Sequence, residues 1–195
     1  MSHLIALYGP KRCGKDSFFQ IVKEAFPEIK FGRIAFADPI KDHVMEVFNL
    51  RSDEEYEIFK ESRLTFNPKP GTGIEVSGRH IVRSIGMNMR RITHAQVYWD
   101  HVQNTVKASP DVQVWVLTDL RFPDEMGWIT NQNLWKTTTV CRINREGCNF
   151  DGHASEQDWM PPALVTYAFD NHVKEDYISS ATSMMSYHFK SLKLL

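Results

Sequence analysis

A glycine- and lysine-rich stretch has the clearest capacity for chemistry. It follows the apolar run 4–8 and reads Gly9-Pro10-Lys11-Arg12-Cys13-Gly14-Lys15-Asp16-Ser17. A strand that turns through such a stretch into a helix directs several backbone N–H groups into one concavity at the positive helix N-terminus. Gly9 and Gly14 permit the tight turn and the approach of phosphate oxygens, while Lys15 reaches the β- and γ-phosphates. The stretch predicts a polyphosphate cradle; the alternative is a surface turn in which Lys11 and Arg12 are merely solvated.

The position after the lysine departs from the usual phosphate-loop pattern, which has a serine or threonine there as a Mg²⁺ ligand. Here Asp16 follows Lys15, and the hydroxyl is displaced to Ser17. Mg²⁺ prefers hard oxygen ligands and keeps several waters, so either side chain could meet the ion or its water shell. Asp119 ends another predicted strand, where phosphate-loop enzymes place a carboxylate that orients hydrated Mg²⁺. The alternative role of Asp119 is to cap an acidic turn.

Arginines outside the loop mark two further candidate anion sites. Residues 79–91 concentrate four of them, Arg79, Arg83, Arg90 and Arg91, in a chain of net charge −1. Arginine grips phosphate with two parallel hydrogen bonds, so this clustering favours an anion site over a merely exposed basic helix face. Arg142 and Arg145 lie at the base of the polar loop 144–156, which we interpret as a lid that closes over bound phosphates, the alternative being a plain surface loop.

The elements that position these residues alternate between strand and helix. Strands are predicted at 4–8, 33–37, 112–118, 137–143 and 165–171. Helices are predicted after the phosphate loop, at 40–48, 52–60, 94–106 and 175–192, and after Glu125 in a segment that contains Met126, Trp128 and Ile129. Such alternation predicts an α/β fold with a parallel sheet covered on both faces. Asp38 is expected to cap the helix that begins at Pro39, and Ser155 to cap one that begins at Glu156. Residues 65–78 contain two prolines and three glycines and predict a loop.

The composition, 42% hydrophobic and 24% charged over 195 residues, is that of one globular domain. The near-neutral net charge does not suggest a general nucleic-acid or anionic-membrane surface, so small molecules are the expected partners. The three cysteines form neither a metal-ligand spacing nor a disulfide framework, which fits a reducing compartment. With no membrane span or signal sequence in evidence, a cytoplasmic location is expected.

The order of these features resembles that of phage-type deoxynucleoside monophosphate kinases, a family of P-loop kinases, over most of the chain. The motifs that carry the resemblance are, besides residues 9–17, Phe36-Ala37-Asp38-Pro39-Ile40-Lys41, Arg79 with Gly86-x-x-x-Arg90 and Trp99, Thr118-Asp119-Leu120-Arg121-Phe122-Pro123-Asp124-Glu125, and His153-Ala154-Ser155-Glu156 followed by Phe169-Asp170-Asn171.

The resemblance implies one three-layer P-loop kinase domain over residues 1–195, with a mainly parallel five-stranded sheet and helices on both faces. An acceptor-binding insertion would span about 39–108 and a lid about 144–156. The implied reaction moves the γ-phosphoryl group of ATP, with Mg²⁺, to a deoxynucleoside 5′-monophosphate. Partners would be small nucleotides rather than nucleic acid polymers or membranes, in the cytoplasm (of the host, for a phage-encoded chain), and a homodimer is allowed.

The resemblance also assigns roles to residues of this chain. The acceptor would lie near Asp38, Lys41, Arg79, Arg83, Arg90, Asp119 and Arg121, the nucleotide would bind residues 9–17, and transfer would depend on Lys15, Arg12, Arg121, Arg142 and Arg145. The metal would meet Ser17, Asp16 and Asp119. Because a monophosphate acceptor already carries an ionised oxygen, such a reaction needs positioning and charge stabilisation rather than a strong general base.

Two alternatives are open. Animal-type phosphomevalonate kinases have a similar loop, Lys-Arg-x-x-Gly-Lys-Asp, with one residue more than Lys11-Arg12-Cys13-Gly14-Lys15-Asp16 of this chain, and an Ala-Ser-Glu-like motif. A nucleotide-binding switch or assembly ATPase is the alternative that is not a kinase. It would not need a second anion pocket, whereas the arginines of 79–91 and those at the lid suggest an acceptor site.

Overall fold

The computed structural model describes residues 1–69, 71–131 and 133–195. Its strands are β1 (Ser2–Tyr8), β2 (Phe31–Ile34), β3 (Arg63–Phe66), β4 (Ile74–Ser77), β5 (Val114–Leu117), β6 (Trp135–Asn144) and β7 (Tyr167–Asp170). Its helices are α1 (Lys15–Ala25), α2 (Asp38–Val47), α3 (Asp53–Glu61), α4 (Gly78–Thr93), α5 (Gln96–Ala108), α6 (Pro123–Asn131) and α7 (Lys174–Ser191), with a short 3-10 helix at Pro162–Leu164. Among the described residues, no helix combines the length and the apolar character of a membrane span.

The chain divides into two compact units, with one boundary between Ala35 and Phe36 and the other within α5. The first unit comprises Met1–Ala35 and Val102–Leu195, and the second comprises Phe36–His101. The phosphate-loop stretch and the residues 144–156 therefore belong to the first unit, whereas the arginines of 79–91 belong to the second.

The first unit is built on a five-stranded sheet with the order β2-β5-β1-β6-β7, in which all neighbouring strands are parallel. The register pairs Ala6 with Leu117 and Tyr8 with Arg142, so the carboxyl ends of β1, β5 and β6 meet at one edge. Central parallel strands are covered on both faces and need nearly continuous apolar runs, and β1 is buried throughout. The predicted α/β fold with a mainly parallel five-stranded sheet is confirmed.

The sheet of the first unit is covered on both faces. Ile5 and Leu7 of β1 pack in one cluster with Phe18 of α1 and Phe189 of α7. Because side chains alternate along a strand, Leu4 and its alternate neighbours point to the opposite face, and they are also buried. On that side, α6 lies beside β6, where the Thr138 hydroxyl donates to the carbonyl of Ile129 (3.0 Å).

The second unit packs α2, α3 and α4 around Val44, Tyr56 and Phe59, with a β-hairpin attached. The hairpin corrects the loop predicted at 65–78. Its strands β3 and β4 pair in antiparallel register from Arg63–Ser77 to Phe66–Ile74, so the irregular part is confined to the tip. Pro68, Gly71 and Gly73 of the stretch lie at that tip, and Gly78 begins α4; Pro70 is outside the described residues.

Three further local predictions, a strand end, a helix cap and a helix start, are wrong. The second strand ends at Ile34, not at residue 37, because its pairing with β5 stops there; the apolar residues that follow are buried without belonging to a strand. The N-cap of α2 is Ala37, and Asp38 is the first helical residue. No helix begins at Glu156: the backbone there is irregular, and the Ser155 hydroxyl lies 2.9 Å from Nδ1 of His153.

Candidate active site

The phosphate-loop stretch forms the turn between β1 and α1 that its sequence predicts. Gly14 is the N-cap of α1 with φ 107°, Gly9 has φ 151°, and Arg12 between them adopts a left-handed conformation with φ 62°. A Cβ at Gly9 would collide with the carbonyl oxygen of Ile143, and one at Gly14 with the side-chain amide of Asn171. The protein's own packing therefore requires both glycines, in addition to any requirement from a phosphate ligand.

Two carbonyl groups of the loop accept hydrogen bonds from side chains in the C-terminal part of the chain. The Asn171 side-chain amide donates to the carbonyl of Cys13 (2.8 Å), and the Tyr177 hydroxyl donates to that of Gly14 (3.1 Å). These bonds turn the negative ends of two loop peptides toward the protein. The start of α1 contributes its positive dipole at the same place, which is the combination that favours a bound anion.

Lys15 is buried against the loop it belongs to. Its ammonium donates to the carbonyl oxygens of Gly9 and Pro10, both at 2.7 Å, and lies 3.7 Å from the sulfur of Cys13. Burial lowers the pKa of the Lys15 ammonium, and the nearby Cys13 and Glu156 oppose that shift. The positive charge of Lys15 is thus held at the loop by main-chain oxygens.

The three candidate metal ligands differ in surroundings. Asp16 is in the first turn of α1 with its side chain 82% exposed, 3.7 Å from the Arg33 guanidinium, and Ser17 is exposed beside it. Asp119 is buried two residues after the end of β5. Among the described residues, no group of three or more histidine, cysteine or acidic side chains could hold a metal. The donors fit Mg²⁺ that arrives with a polyphosphate, because that ion needs only one or two protein oxygens.

Arg121 is held at the carboxyl edge by a network of acidic and main-chain groups. Its guanidinium pairs with the carboxylate of Glu156 and donates to the carbonyl of Ser155 (3.2 Å). Its backbone N–H donates to the Glu125 carboxylate (2.7 Å). Desolvation opposes the charge, but the carboxylates of Glu156, Asp119 and Glu125 outweigh it and raise the pKa of Arg121. Arg121 is therefore a fixed cation.

Residues 145–160, the anchored segment, are irregular and are tied to the phosphate loop and to the end of β1. The ammonium of Lys11 pairs with the Asp151 carboxylate (3.0 Å), and the Arg145 guanidinium donates to the carbonyl of Arg12 (3.3 Å). The Tyr8 hydroxyl lies 2.9 Å from the carbonyl of Gln157 and accepts the N–H of Trp159 (2.9 Å). Burial raises the pKa of Tyr8 to about 12, so its hydroxyl keeps its proton.

Arg142 leaves the end of β6 and forms a bidentate pair with Asp158, at 3.0 and 2.7 Å. This hydrogen bonding raises the pKa of Arg142 and lowers that of Asp158. Beside the pair is a cavity of about 530 Å³, whose lining includes Pro10, Arg142, Arg145, Phe150, Asp158 and His172. A cavity next to the loop with guanidinium and ring surfaces has the chemistry to accept a planar heterocycle.

The remaining predicted site residues lie in the second unit. Arg79, Arg83 and Arg90 follow each other at spacings of four and seven, which places them within about 40° of one another around α4. We call these three residues the arginine stripe. Gly86 lies on the same face, against Ile40 of α2, so the stripe borders the helix that carries Asp38 and Lys41.

Two of the cations of the second unit, Arg79 and Lys41, pair with carboxylates that are exposed. Arg79 pairs with Glu61, whose side chain is 50% exposed. Lys41 pairs with Asp53 (2.7 Å), whose side chain is 83% exposed, and lies 5.7 Å from the centre of the Tyr56 ring. The predicted acceptor residues are thus divided between the two units: Asp119 and Arg121 belong to the first, and the other five to the second.

Several residues of the site are absent from the predicted set. Glu156 and Asn171 stand in motifs that carry the family resemblance, but nothing in their neighbourhood indicates their contacts with Lys11 and Cys13. Tyr8 and Tyr177 look like core residues in the sequence, and they are buried, yet each also places its hydroxyl at the loop or the anchored segment. Contacts between residues this far apart in the chain leave no local signal.

No protein-family model and no curated protein sequence matches the chain. Among solved structures, a sugar kinase from Janibacter sp. HTCC2649 is similar at 11% identity, with 95% of each chain covered and a TM-score of 0.49. A chain from Chloroflexus aurantiacus j-10-fl, provisionally named a kinase, is similar at 11% identity, with 97% of each chain covered and a TM-score of 0.50. The likeness to this second structure concerns the fold alone, and the chain has the α/β fold with a parallel five-stranded sheet that its sequence predicts.

Proposed function

We propose that this chain is a phosphotransferase that moves the γ-phosphoryl group of ATP to a deoxynucleoside 5′-monophosphate. The observation that carries the proposal is the loop at the end of β1, where Gly14 opens α1 and Lys15 is held in the turn. Nucleotide phosphates would bind to the loop N–H groups and the α1 N-terminus, and Lys15 would leave its carbonyl partners to reach the β- and γ-phosphates.

Two cations of the first unit, Lys15 and Arg121, would act in the proposed phosphoryl transfer. In the proposed step, the bond from the γ-phosphorus to the bridging oxygen breaks and a bond to an acceptor phosphate oxygen forms. Lys15 and Arg121 would stabilise charge on the transferring group, since such catalysis is mainly positioning and electrostatics. Mg²⁺, when bound with the nucleotide near Ser17, Asp16 or Asp119, supplies further neutralisation of that charge.

The cavity of about 530 Å³ would receive the base of ATP, between the guanidinium groups of Arg142 and Arg145 and the rings of Phe150 and His172. Two bonds tie the segment 144–156 to Lys11 and Arg12 of the phosphate loop, and they support the proposal that these residues close over bound phosphates as a lid. We infer that water is excluded by this segment during transfer, which strengthens every interaction with the phosphates.

The acceptor monophosphate would bind in the second unit. The arginine stripe supplies guanidinium groups on one helix face, next to the helix that carries Asp38 and Lys41. A doubly charged phosphate monoester is the ligand that such a face would attract, and an aliphatic or aromatic uncharged acceptor would not need it.

The decisive experiment measures ADP release from Mg·ATP with each of dGMP, dTMP, dCMP, dAMP, the ribonucleoside monophosphates and phosphomevalonate. We expect one or more deoxynucleotides to stimulate ADP release above the rate without acceptor. Stimulation by phosphomevalonate alone would transfer the chain to that class of kinase. A rate that is the same with and without every acceptor would instead favour a nucleotide switch or an ATPase.

A further inference from the structure

Glu156 is a buried carboxylate whose two oxygens serve different parts of the site. Its side chain is 4% exposed. One oxygen pairs with the Arg121 guanidinium, and the other accepts the backbone N–H of Lys11 in the phosphate loop (3.1 Å). A single carboxylate therefore connects the loop to a cation that follows β5.

The backbone that carries Glu156 is itself fixed. Its N–H donates to the carbonyl of His153 (2.7 Å), and its carbonyl accepts the N–H of Gly152 (3.2 Å), which closes a compact turn. The Ser155 carbonyl of this turn also accepts from Arg121. On its other side, the carbonyl of Arg121 accepts the indole N–H of Trp159 (2.6 Å). Arg121 is thus held at its guanidinium and at its backbone by the anchored segment.

The Glu156 carboxylate beside the phosphate loop is unfavourable for phosphate binding unless it has another role. Its charge repels a polyanion, so Glu156 is not itself a phosphate ligand. A buried ion pair also costs desolvation and adds little stability relative to well-packed apolar side chains. What the arrangement does achieve is a cation with a fixed position beside the loop, and preorganised charge is what phosphoryl transfer requires.

From these contacts we propose that Glu156 is a positioning residue, which acts on phosphoryl transfer by holding Arg121 in register with the phosphate loop. This inference rests on the proposed function. It gives the Ala-Ser-Glu portion of the anchored segment a role in the chemical step rather than in nucleotide affinity. Removal of the carboxylate should consequently lower kcat while leaving nucleotide binding intact.

The test compares Glu156→Gln with Glu24→Gln, which removes an acidic charge from the exposed surface of α1 near its C-terminal end. We expect Glu156→Gln to lower kcat by about 10- to 100-fold, the range seen when outer-shell partners of site residues are removed. The Kd for ADP, measured by calorimetry, should stay the same or fall, because a negative charge near the phosphates has gone. Glu24→Gln should change neither, since Glu24 is exposed at the end of α1 that is remote from the phosphate loop.

A double-mutant cycle shows whether Glu156 acts through Arg121. In the Arg121→Gln background, Glu156→Gln should change kcat by less than about twofold, because the cation it positions is absent. The same fold-loss in both backgrounds would overturn the inference, as would parallel losses of kcat, ADP affinity and Tm in Glu156→Gln. Should Glu156→Gln not fold, Glu156→Asp keeps the charge but shortens the reach, and it should lower kcat at wild-type ADP affinity; full activity there would overturn the inference.

The proposed function fails in a different way. If the wild-type protein transfers phosphate to none of the acceptors, the phosphotransferase assignment falls and the positioning role falls with it. If the wild-type protein is active and Glu156→Gln is equally active, the positioning role alone is overturned.

Discussion

The two units of the molecule hold their cations in opposite ways. In the first unit, Lys15 is buried against two carbonyl groups, and Arg121 is bound at both its guanidinium and its backbone. In the second unit, Arg79 and Lys41 pair with the exposed carboxylates of Glu61 and Asp53. Exposed ion pairs contribute only about 0–1 kcal/mol, so a ligand phosphate can replace such a partner at little cost.

This difference separates two tasks within the proposed reaction. Charges that stabilise a transition state must be in place before the reaction, and the fold of the first unit bears the cost of desolvating them. Charges that capture and release an acceptor need only be available, and Arg79 and Lys41 of the second unit are paired with exposed carboxylates. Substitutions in the first unit should therefore act on kcat, and those in the second unit on the KM for the acceptor.

The largest effect is expected from Lys15→Met. Loss of the ammonium removes the charge next to the β- and γ-phosphates, and kcat should fall by about 10³-fold or more. The variant should fold, because methionine suits a buried position and burial already disfavours the ammonium. Initial rates of ADP release measure the change in kcat, and thermal unfolding measures whether the variant folds. Lys23→Met, in the last turn of the same helix, is the control and should keep wild-type rates. A Lys15→Met variant whose kcat is within tenfold of wild type would show that the buried cation of the first unit does not act on kcat.

Asp119→Asn should lower Mg²⁺-dependent activity by about 100-fold, because the neutral amide orients hydrated Mg²⁺ less well than the carboxylate. Titration of Mg²⁺ at fixed ATP measures the effect, and the activity lost should be recovered only in part at high Mg²⁺. Asp111→Asn provides a matched control, since Asp111 precedes β5, at the opposite end of the strand, and pairs with Lys30. A wild-type titration curve for Asp119→Asn would mean that this carboxylate only caps the following turn.

In the second unit, Arg90→Gln should raise the KM for the acceptor about tenfold with kcat nearly unchanged, as expected for the loss of one charge-assisted contact in ground-state binding. The KM for ATP should not move. Steady-state kinetics with the best acceptor test this, and Arg63→Gln, which removes a charge from the exposed hairpin pair with Glu75, is the control. A fall in kcat instead of a rise in KM would place Arg90 with the preorganised cations and break the division of tasks.

The sequence reveals this comparison only in part, for physical reasons. Apolar runs such as β1 and β5 predict central parallel strands, because both of their faces must be buried. The phosphate loop is readable because its glycines and lysine are adjacent in the chain. The pairing of Arg121 with Glu156 is not, since 35 residues separate them and the segment around Glu156 has no periodicity.

Local composition also misled where pairing decided the structure. Prolines and glycines hide the short strands β3 and β4, which are defined by their register with each other. Burial of Lys15 had no local signal either, because the carbonyl groups of Gly9 and Pro10 come within its reach only when the loop folds into its turn. Arginines of α4 show their helical spacing, but sequence alone does not tell whether their partners are buried or exposed.

The smallest expected effects are on the coupling free energies of two ion pairs, one in each unit. They compare the two units by stability, with no measurement of activity. Arg142 and Asp158 form a bidentate pair, whereas Lys41 and Asp53 meet through one contact with an exposed carboxylate. Double-mutant cycles by urea unfolding at pH 7 should give a coupling of about 1 kcal/mol for the first pair and about 0.5 kcal/mol or less for the second.

The coupling between Arg142 and Asp158 should depend on pH. Hydrogen bonding by Arg142 holds the pKa of Asp158 below its ordinary value of 3.8. Folding therefore gains stability from this carboxylate above that value, and the gain is lost as the pH falls through 3.8 toward the lower pKa of the folded state. Urea unfolding of wild type and Asp158→Asn at several pH values between 3 and 7 should give a stability difference that shrinks toward the acid end. A difference that is constant across this range would mean that Arg142 and Asp158 are as weakly coupled as the surface pairs of the second unit.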